Sequence, residues 1–172
     1  RVLIHMDNCP EFLLSWYACA HLGAVAVTTN TRSAPAELAY FAQHSEVVAA
    51  ITQPSLAQRV KDNAPNLKWI AVTDNNAGEP AVREDCWLAL ETLLESDAVL
   101  PDRDAQPLLD LGIQYTSGTT SRPKAVVWTH ANALWGAQVN AEHESLSGDD
   151  VHMTFLPLFH ANAQGYSVLA SL

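Results

Sequence analysis

Basic residues are scarce in this chain. Its 172 residues carry nine Lys and Arg against 19 Asp and Glu, a formal net charge of −10. Neutralising a nucleic-acid backbone needs a basic face, and docking on anionic lipid needs one too, so the balance argues against both. Cysteine is scarcer still: Cys9, Cys19 and Cys86 are scattered, with no C-x-x-C pair. An odd, sparse set suggests reduced thiols in a cytoplasmic compartment, each expected to be a small buried apolar side chain.

Charge is missing altogether between Glu11 and Arg32. The core of that stretch, "FLLSWYACAHLGAVAV", is short for a membrane span and contains Ser15, His21 and Gly23. A buried helix, a glycine stop and a buried strand explain it better, and no integral membrane segment is expected. No secretory pattern precedes it, and no internal repeat is present. Several site signatures are absent as well. There is no G-K dipeptide and so no Walker A loop, no G-x-G-x-x-G and no G-x-S-x-G elbow. His5, His21, His44, His143 and His152 show no metal-ligand spacing, so no metal site is assigned.

What remains is a soluble globular composition, 48% apolar and 16% charged, long enough for one domain with a sizeable core. Strand-like and helix-like runs alternate. "RVLIHM", "AVAVTTN", "VVAAIT" and "LKWIAVTD" predict strands, and "CPEFLLSWYACAHLG", "APAELAYFAQHS" and "PSLAQRVKDNA" predict the helices between them. Pro10 suits the first helical turn and Gly23 the stop. Phe12, Trp16 and Ala20, with Leu13 and Tyr17 beside them, form one apolar face; Leu38, Phe41 and Ala42 form another. After the polar "NNAGEPAVRED", "CWLALETLLES" predicts a helix. "LLDLGIQY" and "AVVWTH" predict strands, "ANALWGAQVNAEHESL" a helix, "DVHMTFLPL" a strand and the last segment a helix. Trp16, Trp128 and Trp135 are expected in the core. The pattern predicts an α/β fold: a mostly parallel sheet with helices on both faces. The chain begins at Arg1 inside a strand-like run and stops inside an apolar, helix-like one, which predicts an incomplete piece of a longer chain.

Ligands of such sheets sit outside the carboxyl ends of strands, and "TSGTTSRPK", residues 116–124, follows one. Five hydroxyls, one glycine, one proline and two cations fill it. A polyphosphate needs many donors at short range. Backbone N–H groups in a glycine turn, hydroxyls, a lysine and an arginine supply them. The same composition also fits an ordinary surface turn. The charge distribution favours an anion. From Leu111 to Ala141 there is no Asp or Glu, and Arg122 and Lys124 are the only charges, while the rest of the chain holds all 19 acids. With a screening length of roughly 8 Å, a local cation pair decides what binds there.

"YTSGTTSRPKAVVWTH" closely resembles the signature loop of the adenylate-forming enzymes: acyl-CoA synthetases, luciferases and peptide-synthetase adenylation domains. Ser121 and Ala125 stand where that family usually has glycine. "DNCPEFLLSWYACAHLGAVAVTTNTR" resembles the family's early helix and strand, and "FLPLFHANAQGY" its next motif, with wording nearest the acyl-CoA and carnitine-CoA ligase branch. The resemblance implies that residues 1–172 are an incomplete large N-terminal AMP-binding domain. The start, the C-terminal half and the mobile lid would lie elsewhere.

It implies a two-step reaction. A carboxylic acid attacks the α-phosphate of ATP, then coenzyme A takes the acyl group, with Mg²⁺ sharing the phosphate charge. Thr116, Ser117, Gly118, Thr119, Thr120 and Lys124 would hold the pyrophosphate. His160 would line the acyl pocket beside Phe159, Asn162 and Gln164 could add polar contacts there, and His130 would cap or pack near the next helix. Fatty-acid metabolism is the expected setting, with the acid and the oligomeric state unassigned. Luciferase-like or amino-acid-activating chemistry stays open. So does a truncated or degenerate relative that binds nucleotide, or a protein partner, without turnover.

Overall fold

The computed structural model describes residues 1–100, 103–104, 106–116 and 122–172. Three helices open on proline at their first positions: α1 (Pro10–Leu22), α2 (Pro35–His44) and α3 (Pro54–Asn63). Proline there gives up an N–H that has no helical partner anyway and presets φ. Each helix follows a short strand, β1 (Val2–His5), β2 (Ala26–Thr28) or β3 (Ala49–Thr52), and β4 (Trp69–Val72) completes the series. Gly23 stops α1 at φ 68°. A side chain there would be strained, and its Cβ would lie 2.7 Å from Arg103 Nη1.

Further on come β5 (Leu88–Ala89), α4 (Leu90–Leu94), β6 (Asp110–Thr116), β7 (Lys124–Thr129) and α5 (His130–Glu144). The seven strands form one sheet in the order β5-β4-β3-β1-β2-β6-β7. Every pairing is parallel except β6 with β7, which is antiparallel. Alternation along the strands divides the core in two. Leu3, Val27 and Ala50 pack with Leu38, Ala42 and Val60 from α2 and α3. Ile4, Ala26 and Ile51 share the other cluster with Phe12, Trp16 and Cys19 of α1 and Ala133 of α5. The expected mostly parallel sheet, covered on both faces, is what the chain forms. Among the described residues, no helix is long and apolar enough to cross a membrane.

Local readings differ in several places. Residues 86–96 are not one helix: Leu88 and Ala89 pair with Ala71 and Val72 on the open edge of β4, and only Leu90–Leu94 is helical. The alternation in residues 151–158 makes no strand among the described residues. Val151 is 96% exposed and Met153 79%, and the segment is tied instead by Asn8, whose Nδ2 donates to the Leu156 carbonyl and whose Oδ1 accepts the Leu158 N–H, both at 2.8 Å. A strand needs a ladder, and pattern alone supplies none. The last segment is a π-helical stretch, Asn162–Val168, followed by a 3₁₀ turn, Leu169–Ser171.

Trp135 is 69% exposed rather than core. Ala133 and Ala137 face inward, so the residue midway between them faces out. Trp16 is buried as expected, whereas Trp128 is half-buried. Ser15 and Cys19 are buried on α1 with Phe12 and Trp16, and the expected Leu13, Tyr17 and Ala20 pack half-buried against the same cluster. Cys19 is buried and Cys9 half-buried, but Cys86 lies exposed in a polar loop. Burial pushes the thiols of Cys9 and Cys19 up to about 11, so neither is a nucleophile near neutrality.

The connections leaving β1 and β3 diverge, one toward β2 and the other toward β4. Such crevices hold ligands in open α/β sheets; here polar side chains of the protein bond to one another around it. Gln53 exchanges hydrogen bonds with the Asp7 N–H (2.7 Å) and carboxylate (3.2 Å), and Thr31 Oγ1 donates to Asp7 at 2.7 Å. Arg59 donates to the carbonyls of Thr31 and Ser33. Beside them His5 is fully buried, its Nδ1 2.8 Å from Thr29 Oγ1. Burial, aided by the Arg59 cation and opposed by Asp7, pulls its imidazole down to about 4.

Two outcomes follow. Phe12→Ala, which empties a fully buried ring site, is expected to cost about 3–5 kcal/mol, checked by urea unfolding of the full-length protein. His5 is neutral in the fold, whereas the unfolded chain takes up a proton below the ordinary value of 6.5. Stability is therefore fully present above pH 6.5 and declines as pH falls towards 4. The loss is on the order of 3 kcal/mol. His5→Asn, which keeps a polar atom near the Nδ1 position, should show a shallower decline of the unfolding midpoint across that window. Identical slopes for the two proteins would refute the assignment.

Candidate functional site

A second pair of connections also diverges. After β2 the chain leaves through α2 towards β3, and after β6 it turns back into β7 on the opposite side. A cleft of about 670 Å³ opens between them at the carboxyl end of the sheet. One wall is the end of β2 and its loop, Thr28 to Asn30 with Arg32 and Ser33. The floor is Gln114, Tyr115 and Thr116 of β6, with Val126 and Trp128 of β7. Phe159, His160 and Ala161 form the remaining wall. Glu37 also reaches the cleft, its Oε2 accepting the Ala34 N–H at 2.9 Å.

The hairpin register fixes the two ends of the hydroxyl-rich stretch. Thr116, the last residue of β6, pairs with Lys124, the first of β7. Thr116 lines the cleft, and the exposed Lys124 follows Pro123, which also lines it. Ser117, Gly118, Thr119 and Thr120, together with Ser121, lie outside the described residues. Ala125 sits in β7 opposite Tyr115, in extended backbone. No positive φ is required there, so alanine in place of glycine costs nothing in strain.

Helix α2 flanks this hairpin. The Tyr40 hydroxyl donates to the Pro123 carbonyl at 3.1 Å, and the Arg122 guanidinium stands 5.5 Å from the Tyr40 ring centroid. The Tyr115 hydroxyl meets Ser45 Oγ at 2.7 Å and His44 Nδ1 at 2.9 Å. Burial raises the Tyr115 phenol above its usual range, with the Ser45 hydrogen bond opposing.

His160 reaches the cleft on the segment after Pro157. Its N–H donates to the Pro157 carbonyl at 3.0 Å, and its carbonyl accepts the Gln164 N–H at 3.1 Å. Its Nδ1 faces the Asn162 N–H at 3.4 Å, which leaves Nε2 as the ring nitrogen for a ligand. Gln164, expected as a pocket contact, is instead a buried bracket. Its Nε2 donates to the Leu158 carbonyl at 2.8 Å and to Thr28 Oγ1 at 3.3 Å, and its Oε1 accepts from Gln114 Nε2 at 2.7 Å. Thr28 Oγ1 in turn donates to the Phe159 carbonyl at 3.0 Å. A buried amide must find partners, and these bind the His160 segment to the sheet. Asn162 does not line the cleft and starts the π-helical stretch.

His130 opens α5, its N–H donating to the Leu109 carbonyl at 3.1 Å. The cap itself is Thr129, which exchanges hydrogen bonds with Asn132 at 3.2 and 2.9 Å. Trp128 packs across the cleft floor against Gly165, where a Cβ would lie 3.2 Å from the indole. Reading the sequence missed Tyr40, Gln114 and Thr28. For Thr28 a signal exists, since hydroxyls ending a buried strand mark its carboxyl end. Tyr40 and Gln114 carry none, being ordinary members of a helix and a strand until the chain folds.

The cleft at these strand ends is lined by polar and apolar side chains together, with Thr116 and Pro123 of the hairpin on one side and His160 on another. Comparison with known proteins gives the same frame. The chain is 34% identical over 178 residues to the crotonobetaine/carnitine–CoA ligase of Escherichia coli (strain SE11), covering 99% of this chain and 34% of that protein. The ligase of the same description from Shigella sonnei (strain Ss046) gives the same figures. The chain thus spans about a third of the length of these curated relatives. Among solved structures, the apo structure of Mycobacterium smegmatis MbtA superposes with a TM-score of 0.83 at 26% identity, over 99% of this chain and 32% of that one. The anthranilate CoA ligase AuaEII in complex with anthranoyl-AMP superposes at 0.86 and 22% identity, over 99% and 33%, a likeness of fold. The family model described as "AMP-binding enzyme" matches residues 1–172, the whole chain, and the chain therefore belongs to that family.

Proposed function

We propose that these residues are the incomplete N-terminal AMP-binding domain of a cytoplasmic, ATP-dependent acyl-CoA synthetase. The observation that carries this is the register of β6 and β7, which sets Lys124 opposite Thr116, a residue that lines the cleft together with Pro123 and His160. The curated relatives are named as CoA ligases, and one structural neighbour is described with an acyl-adenylate, anthranoyl-AMP. Three free thiols suit a reducing compartment.

In this reading a carboxylic acid lies along the Phe159–His160 wall and attacks the α-phosphate of ATP. The P–O bond to pyrophosphate breaks as the acyl–phosphate bond forms. Thr116, Ser117, Gly118, Thr119, Thr120 and Lys124 receive the pyrophosphate, whose negative charge grows as it leaves. Donors fixed in advance at that point stabilise the transition state more than the ground state. His160 shapes the acyl side and aligns the attacking oxygen. The thiol of coenzyme A then takes the acyl group and AMP departs. For Mg²⁺, the described residues offer no cluster of three or more His, Cys, Asp or Glu. The ion would enter on phosphate oxygens, where it supplies charge neutralisation.

Lys124→Ala in the full-length protein should slow ATP–pyrophosphate exchange by about a hundredfold, the scale of losing one charge-stabilising donor. Exchange at the unaltered rate would remove the loop from the mechanism. The 172-residue piece alone should show no exchange with any of a panel of carboxylic acids; measurable exchange would mean that the cleft is complete without the rest of the protein.

A further inference from the structure

Helix α2 holds the hairpin by both limbs. On the approach, Tyr115 precedes Thr116 and is anchored through its hydroxyl to Ser45 and His44 at 2.7 and 2.9 Å. On the return, Tyr40 makes two contacts of different kinds. Its hydroxyl donates to the carbonyl of Pro123, and its ring faces the guanidinium of Arg122 at 5.5 Å. Pro123 and Arg122 are the two residues immediately before Lys124.

The Tyr40 ring is itself fixed. It packs against Phe41, His44 and Tyr115 with centroids 5.9, 5.1 and 5.9 Å away. Glu37, one turn earlier on the same helix, is engaged in capping, its Oε2 on the Ala34 N–H. The cation of Arg122 is thus held over an aromatic face, an attraction that leaves its charge uncancelled. An anion approaching the hairpin meets that charge intact, beside a lysine whose preceding peptide is already anchored.

We propose that Tyr40 is a positioning residue for the polyphosphate. By fixing the Arg122–Pro123 limb it sets where Lys124 and Arg122 stand, so the cost of ordering them is met before ATP arrives. The inference rests on the reading of the hairpin as the pyrophosphate cradle. Tyr40 does not line the cleft; it acts through the backbone it holds.

The test is affinity, measured on the full-length protein with three probes: Mg·ATP, inorganic pyrophosphate and AMP. Tyr40→Phe keeps the ring and removes the hydroxyl; Tyr40→Leu removes both contacts. Tyr40→Phe should weaken Mg·ATP and pyrophosphate by about three- to tenfold, the size of one net hydrogen bond, and Tyr40→Leu should weaken them further. AMP lacks the departing phosphates, so its affinity should not move in either variant. Equal weakening of AMP would reduce Tyr40 to general packing and overturn the inference, as would unchanged affinity for ATP and pyrophosphate. Lys124→Ala, run alongside, separates the two levels. If it weakens pyrophosphate while Tyr40→Phe does not, only the role of Tyr40 fails. If neither variant matters, the cradle reading fails and the inference falls with it.

Discussion

The antiparallel pairing of β6 with β7 is the constraint on which the site depends. Parallel strands need a crossover to return the chain to the same end of the sheet, and each crossover here carries a helix or a long loop to a new position. Among the described strands only β6 reverses in place. That reversal pairs Thr116 with Lys124 at the carboxyl end, where the parallel strands also terminate. The chain leaves β2 in the other direction, so the connections from β2 and β6 part at this end of the sheet. The cleft is a consequence of connectivity before it is a matter of side chains.

Its far wall is built differently. The segment carrying Phe159 and His160 belongs to no strand. It is held by a small polar network in which Thr28, Gln114 and Gln164 satisfy one another and the carbonyls of Leu158 and Phe159. Polar groups taken out of water cost free energy unless each finds a partner. A fully paired set is therefore stiff, and it fixes the distance between the wall and the strand ends. At the neighbouring crevice, between β1 and β3, the same economy pairs the protein's own polar groups. Asp7, Gln53, Thr31 and Arg59 bond within the protein, and His5 is buried beside them as a neutral ring.

Much of the fold was legible from residue order. Pro10, Pro35 and Pro54 mark three helix starts, and Gly23 marks a stop, because each conformation suits those residues and few others. Leu38, Phe41 and Ala42 fall on one helical face by spacing, and they are buried. Errors came where pairing or packing outweighs pattern. Leu88 and Ala89 look helical but complete the ladder beside β4. Val151 and Met153 alternate like a strand yet find no partner among the described residues. Trp135 faces outward because the helix buries its alanines. Of the residues lining the cleft, Thr116 and His160 were legible as motif residues. Gln164 was legible as polar, but not as a buried bracket.

The sequence by itself determined the alternating strands and helices of residues 2–72, with their proline starts and the Gly23 stop, and which stretch is free of acids and rich in hydroxyls. These follow from local conformational preference, periodicity and composition, all of which are properties of neighbours in the chain. Only the tertiary structure decided which strands lie side by side, which crevice stays open, and that Tyr40 and Gln114 stand next to residues 83 and 50 positions away. Those outcomes depend on contacts between distant segments, whose energies no local pattern records.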